Sequence, residues 1–290
     1  MADKRRDWTP ELLSLPALVA ILAVMGFPLL YLCWMSLNRW SMIGFDPPRF
    51  VGLQNFLQLV EDDRFVEALG RTFWFTALGL ASNLPLGLGI ALLMHERFPG
   101  RSICRALLIL PMVATPAAMG LVWVIMLDPT LGIVRYLLGG IGIHQPPLWL
   151  SDPGIVVPTL VAVDAWMWTP MVALICLAGL SALPTEPFEA ALVDGASVWQ
   201  RFRFLTLPLM MPTLMVAAML RVMDLLKLID IVYVMTGGGP GHASETMNLY
   251  NYLAALSYDK IGYGSAIALV LFALVMACTL LLIRLRKPAS

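Results

Sequence analysis

The sequence predicts an all-α membrane protein with six transmembrane helices. Hydrophobic residues make up 59% of the 290 residues and charged residues 13%, whereas about 25% of residues are charged in soluble domains. A helix satisfies its own backbone in lipid and needs about 20 apolar residues to cross it. Six apolar runs are long enough, at 17–37, 69–94, 106–127, 155–180, 208–229 and 263–284.

These runs form one predicted membrane domain, 17–284, between tails at 1–16 and 285–290. The basic start of the chain, Met1 to Arg6, precedes an apolar run as in a signal peptide. No small-residue cleavage site follows, so we predict a first spanning helix that is retained. The four cysteines lack metal-ligand spacing, and we interpret them as buried small hydrophobes. A formal net charge of zero gives no indication of nucleic acid binding.

The second run contains a regular pattern that indicates close helix packing. Gly79, Asn83, Gly87 and Ala91 recur every four residues and share one helix face. Small residues in such a pattern allow neighbouring helices to approach closely.

Orientation follows from the distribution of basic residues. The tails and the loops 95–105 and 181–207 contain eleven of them: Lys4, Arg5, Arg6, Arg97, Arg101, Arg105, Arg201, Arg203, Arg284, Arg286 and Lys287. The opposite side contains six: Arg39, Arg49, Arg64, Arg71, Arg135 and Lys260. The positive-inside rule then predicts that both termini and the loop 181–207 are cytoplasmic.

The outer segments, 38–68, 128–154 and 230–262, are longer and rich in aromatic residues that suit a membrane interface or a docking surface. As a set they are the candidates for receiving a protein that delivers a solute. The glycine run at 237–241 is followed by no Gly-Lys-Ser/Thr, which excludes a Walker A phosphate loop. We interpret it as a flexible hinge, since glycine gives the backbone unusual freedom.

The most polar stretch between two spans, 183–208, predicts a compact helix-turn-helix. Thr185 is a candidate cap for a first helix, and Gly195 is the candidate residue to end it. Ser197 and Gln200 have the spacing of a capping box, which predicts that a second helix starts at once. The knee is Asp194-Gly195-Ala196.

This stretch resembles a known family element. Glu189-Ala190-Ala191, then Asp194-Gly195-Ala196, then Leu207-Pro208 resemble the coupling loop of bacterial binding-protein-dependent ABC importer permeases of type I. Four more stretches resemble the carbohydrate-uptake branch, which includes the maltose, glycerol-phosphate and trehalose permeases: Val51–Phe56, Ile109–Pro116, Thr236–Pro240 and Gly262–Ala266. The resemblance assigns ATPase coupling to Glu189, Ala190, Ala191, Asp194, Gly195, Ala196 and Pro208.

The resemblance also implies the surroundings and the work of the chain. It implies a multi-pass protein of the bacterial inner membrane that takes part in ATP-driven import of a sugar or sugar-like solute. The expected partners are a second, related permease, two ATP-binding cassette subunits and a periplasmic or lipid-anchored solute-binding protein. ATP and Mg would bind to the cassette subunits, so no catalytic residue, metal or cofactor is expected in this chain.

Ionisable residues inside predicted spans are costly in lipid and therefore indicate function. Asp164 lies in the fourth span, and Arg221 and Asp224 lie in the fifth. An acid that bonds hydroxyls, beside an indole such as Trp168, suits a sugar site. The resemblance implies a midplane site lined by these two spans, so we predict that Asp164, Trp168, Arg221 and Asp224 bind substrate. Arg221 also suits an anionic sugar, sulfonate or phosphate ester.

Three alternatives remain at this point. In the first, Arg221 and Asp224, which lie on nearly one helix face, neutralise each other as a structural pair. The chain would be an ion-coupled secondary transporter if Asp164 and Asp224 bind ions, or a permease for a non-sugar solute. A membrane-embedded enzyme is disfavoured, because His95, His144 and His242 lie in predicted loops far apart in sequence.

Overall fold

A computed structural model describes residues 9–43, 47–96 and 98–285. Lys4, Arg5, Arg6, Arg97, Arg286 and Lys287, which entered the orientation argument, lie outside the described residues, as do 1–8 and 286–290 of the predicted tails. The first described helix begins at Thr9, and the first candidate span begins at Ser14. The chain divides into two units, residues 1–63 with 251–270 and residues 64–250 with 271–290.

The regular elements of the described residues are helices, apart from one pair of two-residue strands. Its first half contains α1 (Thr9–Ile21), a π turn (Leu22–Gly26), α2 (Phe27–Ser36), β1 (Asn38–Arg39), β2 (Arg49–Phe50), α3 (Gln54–Glu61), α4 (Asp63–His95), α5 (Arg101–Val113), α6 (Pro116–Met126) and α7 (Ile133–Gly140). The second half contains α8 (Val156–Ser181), α9 (Glu186–Val193), α10 (Val198–Arg201), a π turn (Phe202–Thr206), α11 (Leu207–Leu226), α12 (Asp230–Thr236), α13 (Met247–Tyr252), a π turn (Leu253–Ser257) and α14 (Ile261–Leu285).

In the first unit, a hairpin joins the end of the first span to the start of the last. The strands β1 and β2 are antiparallel, with Asn38 opposite Phe50 and Arg39 opposite Arg49. The buried side chain of Asn55 donates to the backbone oxygens of Ser36 and Asn38 at 2.7 and 3.0 Å. At the start of α14, a Cβ on Gly262 would lie 1.9 Å from the Asn38 carbonyl oxygen, so only glycine permits this approach.

In the second unit, glycines let α4, α8 and α11 pack closely. A Cβ added at Gly87 would lie 2.5 Å from Val172 of α8, and one at Gly79 would lie 2.8 Å from Leu225 of α11. Gly79, Asn83, Gly87 and Ala91 are all buried, so the close packing predicted from their spacing is confirmed. Of the four cysteines, Cys176 is buried and Cys104 is exposed, which corrects the prediction for Cys104.

The third span is the one where the predicted continuous helix is wrong. The run 106–127 is divided between α5 and α6, whose axes bend by 98° at the break. Thr115 is extended (φ −66°, ψ 142°) because the ring of Pro116 disfavours helical backbone in the residue before it. The described residues therefore contain five continuous helices long enough to span a membrane, and six spans if the bent pair counts as one.

Two of the π turns precede prolines. The turns at 22–26 and 202–206 end two residues before Pro28 and Pro208. Proline lacks an N–H and its ring clashes with the carbonyl four residues earlier. A widened turn accommodates that ring without a break, since the Leu207 N–H bonds to Phe202, five residues back. The fifth span is consequently one helix, Val198–Leu226.

Candidate functional site

The helix-turn-helix between α8 and α11 has the predicted turn. Gly195 has φ +74° and follows Asp194, the C-cap residue of α9. The Ala196 N–H bonds to the Ala191 carbonyl at 2.9 Å, and the Gly195 N–H bonds to the Leu192 carbonyl at 3.1 Å. These two bonds form a Schellman motif, in which left-handed glycine satisfies the last free carbonyls of a helix. Gly195 is confirmed as the residue that ends α9.

The second helix begins with the predicted capping box. The Ser197 N–H donates to the Gln200 side chain at 2.7 Å, and the Gln200 N–H donates to the Ser197 hydroxyl at 3.3 Å. Thr185 precedes α9 as predicted, but its side chain makes no capping bond. Its backbone is helical (φ −81°, ψ −29°), whereas a capping side chain needs extended backbone at that position.

The coupling residues named from the sequence lie mostly at the surface. Glu189, Ala190, Asp194, Gly195 and Pro208 are exposed, and Ala191 and Ala196 are half-buried. Around them lies an exposed apolar face that sequence analysis missed, made of Leu192, Val193, Val198 and Trp199. Large apolar side chains in an otherwise polar loop were the available signal. Exposed apolar groups of this kind mark a surface that a partner covers.

A cavity of 890 Å³ lies beside this helix-turn-helix. Its apolar wall comes from α4, α8 and both short helices, including Leu92, Leu183, Phe188 and Phe202. Leu192, Val198 and Trp199 of the exposed apolar face also line this cavity.

The polar cluster within the membrane joins α4, α8 and α11. The Arg221 guanidinium donates to Asp164 at 2.5 Å, and each side chain is only 1% exposed. Asn83 donates to the same carboxylate at 3.3 Å. The guanidinium of Arg221 also lies over the Trp168 ring, 5.6 Å from its centroid. Three of the four predicted substrate residues are thus brought together, and Asn83, which sequence analysis assigned only to packing, is added.

Asp224, the fourth, has a different partner. It forms an ion pair with Lys227 at 3.2 Å, and the two side chains are 38% and 59% exposed. The proposed mutual neutralisation of Arg221 and Asp224 is therefore wrong. A carboxylate from another helix reaches Arg221 in a buried setting, where a charged partner has most value. Within the described residues, Asp164 Oδ1 and Arg221 Nε are buried without a hydrogen-bond partner.

A second buried charge lies in the segment after α12. Glu245 is fully buried and accepts from Arg64 at 2.8 Å, and the imidazole of His242 lies 3.0 Å from the same carboxylate oxygen. Arg71 donates to the Glu245 backbone oxygen at 3.0 Å. These contacts attach the segment to the start of α4.

The glycine run beside Glu245 is a hydrogen-bonded turn. Gly237 and Gly238 have positive φ values of 59° and 92°. The Gly239 N–H bonds to the Thr236 carbonyl at 3.0 Å, and the Ser244 hydroxyl donates to the Gly239 carbonyl at 2.7 Å. The glycines thus supply the geometry of a fixed turn, which argues against the flexible hinge.

Together these features define a class of protein. The chain has long apolar helices, with a capped and exposed helix-turn-helix between two of them. The same two helices contain buried charges. These are the features of a membrane transport subunit. Among the described residues no group of three His, Cys, Asp or Glu side chains is placed to hold a metal ion.

The chain belongs to the family described as "Binding-protein-dependent transport system inner membrane component", whose match covers residues 83–288. It is a multi-pass inner membrane protein. It is 36% identical over 279 residues to the trehalose/maltose transport system permease protein MalF of Thermococcus litoralis, covering 95% of this chain and 92% of that protein. It is 32% identical to the sulfoquinovosyl glycerol transport system permease protein SmoG of Agrobacterium fabrum, covering 94% and 89%.

A solved structure has the same fold. In the bacterial alginate ABC transporter in complex with an alginate pentasaccharide-bound periplasmic protein, one chain matches with a TM-score of 0.82 at 21% identity, covering 96% of this chain and 93% of that one. The all-α type I permease fold expected from the sequence is therefore confirmed.

Proposed function

We propose that this chain is a permease subunit of an ATP-driven ABC importer for a sugar or sugar-like solute delivered by an external binding protein. The observation that carries the proposal is the Schellman-capped helix-turn-helix with its exposed apolar face, held between the two spans that contain the buried charges. The sugar assignment is supported by relatives named for trehalose, maltose and sulfoquinovosyl glycerol. The matches cover at least 89% of the length of these relatives.

In this proposal the helix-turn-helix binds one of two ATPase subunits, which hold ATP and Mg. A second, related permease completes the membrane part as a heterodimer. Both termini and the helix-turn-helix face the cytoplasm, as the basic residues indicate. When the ATPase subunits close, they move α9 and α10, and the permease pair changes from inward-facing to outward-facing, two global states of one assembly.

Trp168 and Asp224 are the proposed solute contacts. Trp168 is half-buried and the Asp224 side chain is 38% exposed, so both are accessible in part. Indole rings cover apolar sugar faces and carboxylates accept from hydroxyls, which is the usual composition of such pockets. Asp164 and Arg221 are closed to solvent and act indirectly, because their ion pair holds the guanidinium over the Trp168 ring.

The test is uptake into proteoliposomes that contain the intact transporter. A ligand screen on the cognate binding protein first identifies the solute. Uptake of that solute is expected to require the binding protein and ATP. Asp224→Asn should retain assembly and lower uptake, whereas Asp230→Asn, at the exposed start of α12, serves as the matched control.

Two results would contradict the proposal. Uptake driven by an ion gradient without ATP would identify a secondary transporter. A cognate binding protein that binds only amino acids, peptides or inorganic anions would identify a permease for a non-sugar solute.

A further inference from the structure

The first unit contains a cationic cavity within the outer segments 38–68 and 230–262. Its volume is 1040 Å³, and it lies where the first span ends at Ser36 and the last begins at Ile261. Arg39, Arg49 and Lys260 line it and are exposed. By the distribution of basic residues this end of the spans is the outer one.

The charges of this cavity are unbalanced. Arg39 and Arg49 are direct cross-strand partners, and like charges in that relation destabilise a sheet. Within the described part of the chain neither arginine forms an ion pair, and the only side-chain hydrogen bond of Arg39 is to the Gln54 amide oxygen at 3.4 Å. An anion held between the two side chains would remove this repulsion.

Among the described residues, Asp259 is the one acid that lines the cavity, and its carboxylate already accepts hydrogen bonds. It accepts from the Ser41 hydroxyl and from the N–H groups of Met42 and Ile43, at 2.7 and 2.9 Å for the two backbone donors. These bonds hold the pKa of Asp259 below its ordinary value. The described part of the cavity wall therefore contains three cations and one carboxylate that is already hydrogen-bonded.

The surroundings indicate where the anion comes from. Phe27, Tyr31 and Trp34 form a row of neighbouring rings along α2, with centroids 6.3 and 5.9 Å apart. They are 71%, 48% and 48% exposed, on a helix whose surface is apolar. The row ends five residues before Arg39, and Trp40 and Tyr258 line the cavity itself. Aromatic residues at this depth are typical of the boundary between acyl chains and headgroups.

We propose that this cavity binds the phosphate of an anionic phospholipid, with Arg39, Arg49 and Lys260 as its cationic ligands. An acyl chain of the same lipid lies along the aromatic row of α2. The occupied site then fixes the hairpin between the first and last spans, because the lipid phosphate bridges residues from β1, β2 and the segment before α14.

The experiment is native mass spectrometry of the intact transporter, released from bilayers that contain phosphatidylglycerol and phosphatidylcholine with identical acyl chains. Wild type is expected to retain phosphatidylglycerol preferentially. Each basic residue near an anionic lipid contributes about a fivefold change in affinity. In the Arg39→Gln/Arg49→Gln/Lys260→Gln variant, the preference for phosphatidylglycerol over phosphatidylcholine should therefore fall by about tenfold or more.

Two further variants separate charge from folding. Arg39→Lys/Arg49→Lys keeps both charges and should keep most of the preference. Arg135→Gln removes an exposed cation from another outer segment and should leave the preference unchanged. Should the triple variant fail to assemble, the preference of wild type and of the lysine variant decides the question.

Three results would overturn the proposal. These are no preference for phosphatidylglycerol in wild type, an unchanged preference in the assembled triple variant, or an equal loss in Arg135→Gln. Loss of binding-protein stimulation with unchanged lipid retention would instead assign the surface to the binding protein.

Discussion

The ion pair between Asp164 and Arg221 joins the helix that enters the helix-turn-helix to the helix that leaves it. Its two atoms lie 2.5 Å apart and both side chains are buried. Because this pair connects α8 to α11, we expect a displacement of α9 and α10 in the proposed mechanism to move both spans together.

Removing one member of this ion pair should lower the stability of the transporter more than removing both. Asp164→Leu or Arg221→Met leaves a buried charge without its partner, which costs about 3–5 kcal/mol, whereas an apolar pair of similar volume is nearly neutral. The melting temperatures of the four intact transporters measure this relation. The double variant should be more stable than either single variant and should still show reduced uptake, since Trp168 loses its cation. Additive losses of stability would show that the pair is not coupled.

Gly195 should tolerate asparagine better than valine. No atom lies within 4 Å of a Cβ added there, so the penalty arises from its φ of +74° alone. Left-handed backbone costs about 1–2 kcal/mol in residues other than glycine, most in β-branched residues and least in asparagine. Gly195→Val should reduce the amount of ATPase subunit that copurifies, and Gly195→Asn should reduce it less.

Gly139→Val is the matched control for this substitution. Gly139 has equal space around its Cβ but no positive φ. Its variant should bind the ATPase normally. Normal copurification with Gly195→Val would remove the helix-turn-helix from the ATPase contact.

The glycine turn at 237–241 should behave as a rigid element. The backbone N–H groups of Gly239 and Ser244 donate to carbonyl oxygens within the turn, at 3.0 and 3.1 Å. Hydrogen exchange of both amides should therefore be slow and should not change when the binding protein is added. Gly238→Ala should accelerate exchange, because its φ is +92° and a Cβ would lie 3.1 Å from Leu249. Fast exchange in wild type would restore the hinge interpretation.

The loop after α6 should keep its hydrogen bonds to Asp128 at every pH above 3.8, the ordinary pKa of an aspartate. The Thr130 hydroxyl and the N–H groups of Leu131 and Thr130 hold the pKa of Asp128 below its ordinary 3.8. A carboxyl with a lowered folded pKa contributes stability that is complete above 3.8 and is lost as pH falls through the lower folded value. Protection of the Thr130 and Leu131 amides, corrected for intrinsic exchange, should follow this course. Asp128→Asn should reduce protection at neutral pH, and a loss of protection in wild type above 3.8 would contradict the assignment.

Local signals in the sequence were sufficient for the turn and the second helix of the helix-turn-helix, although not for the cap at Thr185. Gly195 and the Ser197–Gln200 box act through bonds that span at most five residues, so their chemistry is readable without the fold. The break at Thr115-Pro116 also had a local signal in the sequence, the proline itself, but the apolar run around it favoured a continuous helix. Proline decided the backbone there, since hydropathy measures only whether lipid accepts the residues.

Long-range partners were not readable in the same way. The helical spacing of Arg221 and Asp224 indicated a local pair, whereas packing brought Asp164 to Arg221 from 57 positions away. That packing depends on Gly79 and Gly87, which let α4 and its Asn83 approach the other two helices. The cluster around Glu245 was missed for the same reason, because Arg64 lies 181 positions earlier.

The π turn at 202–206 also contains one residue more than an α turn within about the same angle around the helix axis. Each residue of an α-helix rotates the chain by about 100°, so one extra residue in a uniform α-helix would rotate α9 and α10 by about a quarter of a circle around the axis of α11. The widened turn accommodates that residue locally. Deleting one residue between Phe202 and Thr206 should therefore restore an α turn and leave the orientation of α9 and α10 unchanged, whereas the same deletion further along α11 should rotate them.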